Sequence, residues 1–225
     1  MNRFSSTFFS KNDWLLKKIP FLNKHLRILM YDNSIRNLAL IHQTISQTNF
    51  AEKYWILGGV LLGWIRDRDL IPGDEGDIDF AFNHLDEPYF LEIIPLLQTV
   101  GFQPFTKWKN NAGQITEYVL IKDGCKFEFF IMFENNNKFI YYGYSKSRQV
   151  REKNPWLEVT GEMDKYELTT RNIFGLPFLV PENPEKWLAE IYGDWQKSNP
   201  GFHFIDDELT IVNRVVWKGN NKWNG

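Results

Sequence analysis

Four carboxylates fall within six positions of GDEGDIDFAF (residues 73–82): Asp74, Glu75, Asp77 and Asp79, followed at once by apolar residues. Such crowding of like charge is costly unless a cation sits among the acids or they face water. In an extended chain Asp77 and Asp79, two apart, aim their side chains at one face, while Ile78 and Phe80 point the other way into a core. Paired oxygen ligands of this kind suit Mg²⁺ or Mn²⁺. A third ligand has to come from a neighbouring strand, and Glu128 is the acid inside the apolar run KFEFFIM. An acid there needs a metal or a cationic partner. The competing reading is that Asp77 and Asp79 line a solvated sheet edge while Glu128 pairs with Lys126. Spacing alone leaves both open.

Upstream, Gly58 and Gly59 in WILGGVLLGWI stand where a short strand gives way to a helix. Backbone N–H groups at such a junction can approach a phosphate closely. Arg66, eight residues on from Gly58 in the same stretch, reads on its own as a salt-bridge partner of Asp69 or Asp74.

The elements that must position these groups are read from periodicity. Residues 33–50 carry Ile35, Leu38, Ile41 and Ile45 at helical spacing, with Asn33 or Ser34 as cap. KYWILGG reads as a buried strand, VLLGWIRDRD as a helix broken by Pro72 and Gly73, and DIDFAF as a second strand. PYFLEIIPLLQTV is a helix opened by Pro88, closed by Gly101 and kinked or split at Pro95. QITEYVLIKDGCKFEFFIMF predicts a hairpin turning at Asp123-Gly124, and KFIYYGYS a further strand. Residues 145–170 show no clear period. NIFGLPFLVP is extended, and PEKWLAEIYGDW is a helix from Pro184 to about Gly193. Helices and strands mixed without regular βαβ repeats, with a hairpin among them, predict an α+β (mixed α/β) fold: a mixed, partly antiparallel sheet flanked by helices.

Composition narrows the classes. At 225 residues and 43% hydrophobic content the chain buries a proper core, and a 16% aromatic share argues against disorder. A net charge of −2 gives no basic field, so no nucleic-acid partner is expected. The single cysteine, Cys125, excludes an internal disulfide framework and suits a reducing, cytoplasmic setting. The longest apolar run, WILGGVLLGWI, is too short to cross a bilayer. The N-terminal stretch MNRFSSTFFSKNDWLLKKIPFLNKHLR lacks a signal-peptide pattern. It either docks its apolar side on the domain or lies at the inner face of an acidic membrane, with Phe8, Phe9, Trp14, Leu15 and Leu16 toward lipid and Lys11, Lys17 and Lys18 toward headgroups. The four histidines show no metal-ligand spacing. The closing VVWKGNNKWNG reads as a frayed tail or a glycan contact.

A Gly-Gly turn, then Asp-x-Asp on the next strand, then an acid on a third, resembles the nucleotidyltransferase superfamily. GGVLLGWIRDRDLIPGDEGDIDFAF is similar to its LicD/fukutin branch, and the Gly63-Trp64-x-Arg66 version is closer to fukutin. GLPFLVPENPEKWLAEIYGDWQ matches the family's closing segment, with Tyr192, Asp194 and Trp195 in its last turn. Two departures stand out: Gly76 lengthens the acidic run by one residue, and Glu128 replaces the usual aspartate. The resemblance divides the chain into an N-terminal helical segment packing on the core (1–50), a catalytic domain (51–200) and a C-terminal extension (201–225). It implies a Mg²⁺- or Mn²⁺-dependent transfer of a phosphorylated small alcohol (choline, ribitol or glycerol phosphate) from a CDP-activated donor to a glycan hydroxyl. Asp77, Asp79 and Glu128 would be metal ligands and catalytic groups, with Gly58, Gly59, Arg66, Asp194 and Trp195 binding substrate. Tyr192 and Trp195 are also ordinary core residues at helical spacing. Alternatives are a conventional nucleotidyltransferase using an NTP, and a silent glycan- or partner-binding protein.

Overall fold

The computed structural model describes residues 20–147 and 155–223, with side chains from Lys24 onward. The N-terminal residues assigned above to a membrane or docking face lie outside the described residues. The fold is α+β. Helix α1 (Pro20–Ile45) is followed by β1 (Tyr54–Ile56), α2 (Gly58–Asp67), β2 (Asp77–Asn83), a 3₁₀ turn (His84–Asp86) and α3 (Glu87–Thr99). Then come β3 (Gln103–Lys109), β4 (Ile115–Lys122), β5 (Cys125–Asn135), β6 (Lys138–Lys146), β7 (Trp156–Asp164), β8 (Leu168–Ile173) and β9 (Leu176–Pro181). Helix α4 (Pro184–Tyr192), the short α5 (Phe204–Asp207) and β10 (Ile211–Val216) complete the chain.

The sheet is mixed. β1 pairs antiparallel with β2 and parallel with β9, β2 runs parallel to β5, and β5 takes β4 antiparallel on its other edge. Past that pairing, Phe133–Asn135 at the end of β5 begin a second antiparallel ladder through β6, β7 and β10. The hairpin β4–β5 turns at Asp123 and Gly124, with φ of 52° and 85°. Both central residues of a type I′ turn must be left-handed, which Asp tolerates and Gly adopts freely. Pro95 stays within α3, which runs on to Thr99.

Strand parity builds the core. Ile78, Phe80 and Phe82 of β2 and Phe127, Phe129 and Ile131 of β5 are buried. Phe80 stacks on Phe129 and Phe82 on Phe90 of α3, each with ring centroids 4.8 Å apart. Full burial of each such ring contributes roughly 1.5–3 kcal/mol. The alternate residues of the same two strands, Asp77, Asp79, Lys126 and Glu128, share the opposite face.

Helix α1 departs from expectation, because it begins at Pro20 rather than at Asn33 and ends at Ile45. Asn33 and Ser34 are therefore buried mid-helix residues, not caps. The Asn33 amide donates to the Asp123 carbonyl at 2.9 Å and the Ser34 hydroxyl donates to the Glu75 carbonyl. The helix thus ties the hairpin turn and the acidic loop to one support. The C-terminal residues are not frayed in the described part. β10 joins the sheet through β7, Trp217 donates to the Lys109 carbonyl at 2.8 Å, and the Trp223 ring lies 5.4 Å from that of Tyr118.

Candidate metal centre and donor site

The parallel register of β2 and β5 places Asp77 beside Lys126 and Asp79 beside Glu128. One carboxylate oxygen from each of Asp77, Asp79 and Glu128 lies within 4.8 Å of the other two. That span is what ligands around one small hard cation require. Asp77 Oδ1 is buried and accepts no hydrogen bond among the described residues, although the Lys126 ammonium stands 2.9 Å away and donates to Oδ2 at 3.0 Å instead. A buried carboxylate oxygen met only by an ion-pair contact keeps a lone pair free for a ligand. The donor set therefore fits a metal ion.

Lys126 also donates to Glu128 Oε1 at 2.9 Å. The pairing that sequence reading set against a metal site is thus present within the same cluster. One ammonium does not neutralise it. Burial, followed by the charges of Asp77 and Glu128, holds the Asp79 carboxyl well above the usual carboxylate range. Burial and then Asp77 push Glu128 up to about 7, against the opposing pull of Lys126. Asp74 stands at the exposed mouth of the site. Lost hydration from the protein packed around it, and then the Asp77 charge, raise it to about 6. These shifts describe a site built for more positive charge than the chain supplies.

A further acid was not anticipated. Glu117 on β4 pairs with Phe130, so it points to the same face as Glu128, two residues along β5. It is 5% exposed, and burial and then the Glu128 charge raise its carboxyl well above normal. The cue that singled out Glu128, an acid inside an apolar strand, was present in ITEYVLI too.

The Gly-Gly turn has an unexpected first task. The Gly59 N–H, in the first turn of α2, donates to Asp79 Oδ2 at 3.1 Å. Gly58 is left-handed (φ +63°), and a Cβ there would lie 2.1 Å from Asp79 Oδ2; one at Gly59 would lie 2.6 Å from Asp74 Oδ2. The glycines let two carboxylates rest against the start of the helix, whose partial positive charge favours them. Gly58→Ala is expected to cost about 2–4 kcal/mol in chemical denaturation and to displace Asp79, by combined left-handed strain and steric overlap.

Glu75 faces away from this cluster. It is buried, takes the Arg27 Nε–H at 2.7 Å and accepts the Gly73 N–H at 3.0 Å, bracing the acidic loop against α1. Glu75→Ala should cost about 1–3 kcal/mol by denaturation, the price of an unpaired loop amide and a lost charge-assisted bond.

The remaining expected residues are placed as follows. Arg66 is largely buried, gripping Asp67 through Nε and Nη2 at 2.9 and 2.8 Å and reaching the Trp195 carbonyl at 3.5 Å. Its partner is neither Asp69 nor Asp74. Trp195 packs against the core, and Asp194 is exposed, holding Lys197 at 2.6 Å. Tyr192 has the Phe202 ring 5.0 Å away, and its hydroxyl is raised well above normal by burial, then by Glu208, Asp79 and Asp74. Helix α4 thus brings Tyr192 within electrostatic reach of the acids.

The family model for the LicD/FKTN/FKRP nucleotidyltransferase domain matches residues 51–183, from just before β1 to the start of α4. The chain belongs to the LicD family. The matched stretch contains the glycine turn, both aspartates of β2 and Glu128. An uncharacterised protein of Rickettsia prowazekii (strain Madrid E) is 27% identical over 156 residues, 69% of this chain and 52% of its own. One from Rickettsia typhi (strain ATCC VR-144 / Wilmington) is 28% identical over 169 residues, 73% of this chain and 48% of its own. This LicD-family chain spans about half the length of the curated relatives it matches. Among its described residues no helix is long and apolar enough to cross a membrane.

Proposed function

We propose that this LicD-family protein transfers a substituted phosphate (phosphocholine, ribitol phosphate or glycerol phosphate) from a CDP-activated donor to a glycan hydroxyl. The observation that carries the proposal is the convergence of Asp77, Asp79 and Glu128 beside the glycine-opened helix α2. In the reaction the acceptor oxygen bonds to the distal phosphorus, the bond to the bridging oxygen breaks, and CMP leaves with that oxygen. Asp77, Asp79 and Glu128 would hold Mg²⁺ or Mn²⁺, which supplies charge neutralisation at the diphosphate. Glu128 would complete that site or, through its second oxygen, receive the acceptor's proton. Arg66 reaches a phosphate only by exchanging Asp67 for it, fork for fork.

The test is CMP release from CDP-choline, CDP-ribitol and CDP-glycerol with Mg²⁺ and candidate glycans, alongside thermal stabilisation by each donor. Stabilisation by ATP or another NTP, and by none of the CDP donors, would replace this reading with nucleotidyl transfer, which the family's domain description also accommodates.

A further inference from the structure

Lys126 sits where a cation belongs. Its backbone is fixed, since its N–H donates to the Gly76 carbonyl at 2.8 Å and it lies in the β2–β5 register opposite Asp77. Its Nζ touches Asp77 Oδ1 and Glu128 Oε1, each at 2.9 Å, and these residues belong to the three whose oxygens cluster. Metal–oxygen bonds of about 2.1 Å would seat an ion between those carboxylates. The ammonium and an ion held by both acids therefore compete for one volume. Lys126 is also the most exposed of the three, 43% against 33% for Asp77 and 18% for Glu128, so its four-carbon stem has open solvent to move into. Its immediate surroundings are acidic on every strand of this face: Asp77 and Asp79 on β2, Glu128 on β5 and Glu117 on β4, with Asp74 at the mouth. Once an ion takes the carboxylates, the displaced ammonium loses both of its bonded acids and stands at the rim near Asp74, beside the place where a phosphate must arrive.

We propose that Lys126 exchanges partners during loading: it holds Asp77 and Glu128 in the ion-free protein, is displaced by the divalent ion, and then binds the donor's diphosphate. The exchange rests on the metal-dependent reading above. It gives the ion-free site a counter-charge that keeps the acids together, and it makes diphosphate binding follow metal binding, because only the loaded site frees the ammonium. A lysine suits this task better than an arginine, being a compact point charge on a flexible stem.

The test uses the full chain and reads no turnover. Crystals soaked in Mn²⁺ locate the ion by its anomalous signal, and calorimetry measures Mn²⁺ and CDP binding to wild type and to Lys126→Met. The expected structure has Mn²⁺ on Asp77, Asp79 and Glu128 with Nζ out of hydrogen-bond reach of both acids. Lys126→Met should bind Mn²⁺ at least about tenfold tighter, having lost a competing charge, and bind CDP in saturating Mn²⁺ about tenfold more weakly. Opposite signs for the two ligands are not what a merely structural lysine produces. Mn²⁺ seated on the acids with Nζ still bonded to Asp77 and Glu128 overturns the exchange and leaves the metal site standing. An absence of Mn²⁺ binding to wild type overturns both.

Discussion

Asp79→Asn is expected to lower CMP release by about 10³-fold or more while leaving the ion-free protein at least as stable as wild type. The two halves follow from one environment. Asn keeps the shape of Asp and can still accept the Gly59 N–H, which Asp79 Oδ2 takes at 3.1 Å, so the start of α2 keeps its partner. What disappears is a charge with more repulsion than support around it: after burial itself, Asp77, Glu128 and Asp74 act on Asp79 as like charges, against Lys126 and the start of α2. Removing an under-compensated buried charge relieves strain and costs no bond. Adding Mg²⁺ should reverse the order, because wild type gains binding free energy that the variant lacks. Two melting curves per protein, with and without Mg²⁺, and one CMP-release assay check this. Retained turnover would sink the metal mechanism, and strong destabilisation of the ion-free variant would make Asp79 a structural anion.

Where local chemistry and tertiary placement agreed, the chain was readable. The period of two in DIDFAF and KFEFFIM separated Phe80 and Phe129 from Asp79 and Glu128, and the parallel register then set the acids side by side. Asp123-Gly124 specified its own turn. Where tertiary partners satisfied a residue, local rules misled. Asn33 and Ser34 have the chemistry of helix caps, yet their donors are spent on the hairpin and the acidic loop, so α1 passes straight through them. The glycine pair does permit a close approach, but the group that approaches is Asp79. Asp74 and Glu75, adjacent and alike, diverge because Arg27 captures one and Gly59 makes room for the other. β3, β8 and β10 escaped notice because they carry polar and charged residues without clean alternation, as in QPFTKWK, LTTRNI and IVNRVV; their partners rather than their own pattern hold them extended. β7 does alternate, Leu157, Val159 and Met163 against Glu158, Thr160 and Glu162, so its period of two was legible.

The stability of the ion-free protein is expected to fall as pH rises from about 4 to about 7. Glu128 and Asp74 have folded-state values of about 7 and about 6 against ordinary values of 4.5 and 3.8, and Asp79 and Glu117 shift the same way. Across that window the folded chain binds more protons than the unfolded one, so each step up in pH favours unfolding, until the folded groups have ionised and the curve flattens. Glu128 and the acids coupled to it together lose on the order of a few kcal/mol, at about 1.4 kcal/mol per pKa unit; exposed Asp74 adds less, because water screens it. Lys126 does not mask the slope, since a lysine raised above its usual range gives a stabilisation already complete throughout this window. Asp123, held below its usual value by Arg36 and Asn37 despite partial burial, acts in the opposite sense, but only as pH drops below about 4. Saturating Mg²⁺ should invert the slope, because the ion binds the deprotonated acids and so stabilises most where protons have left. Urea denaturation at pH 5, 6, 7 and 8, in EDTA and in Mg²⁺, gives both slopes. A flat EDTA profile would mean that the acids are already neutralised within the chain, and then no charge deficit would remain for a metal to fill.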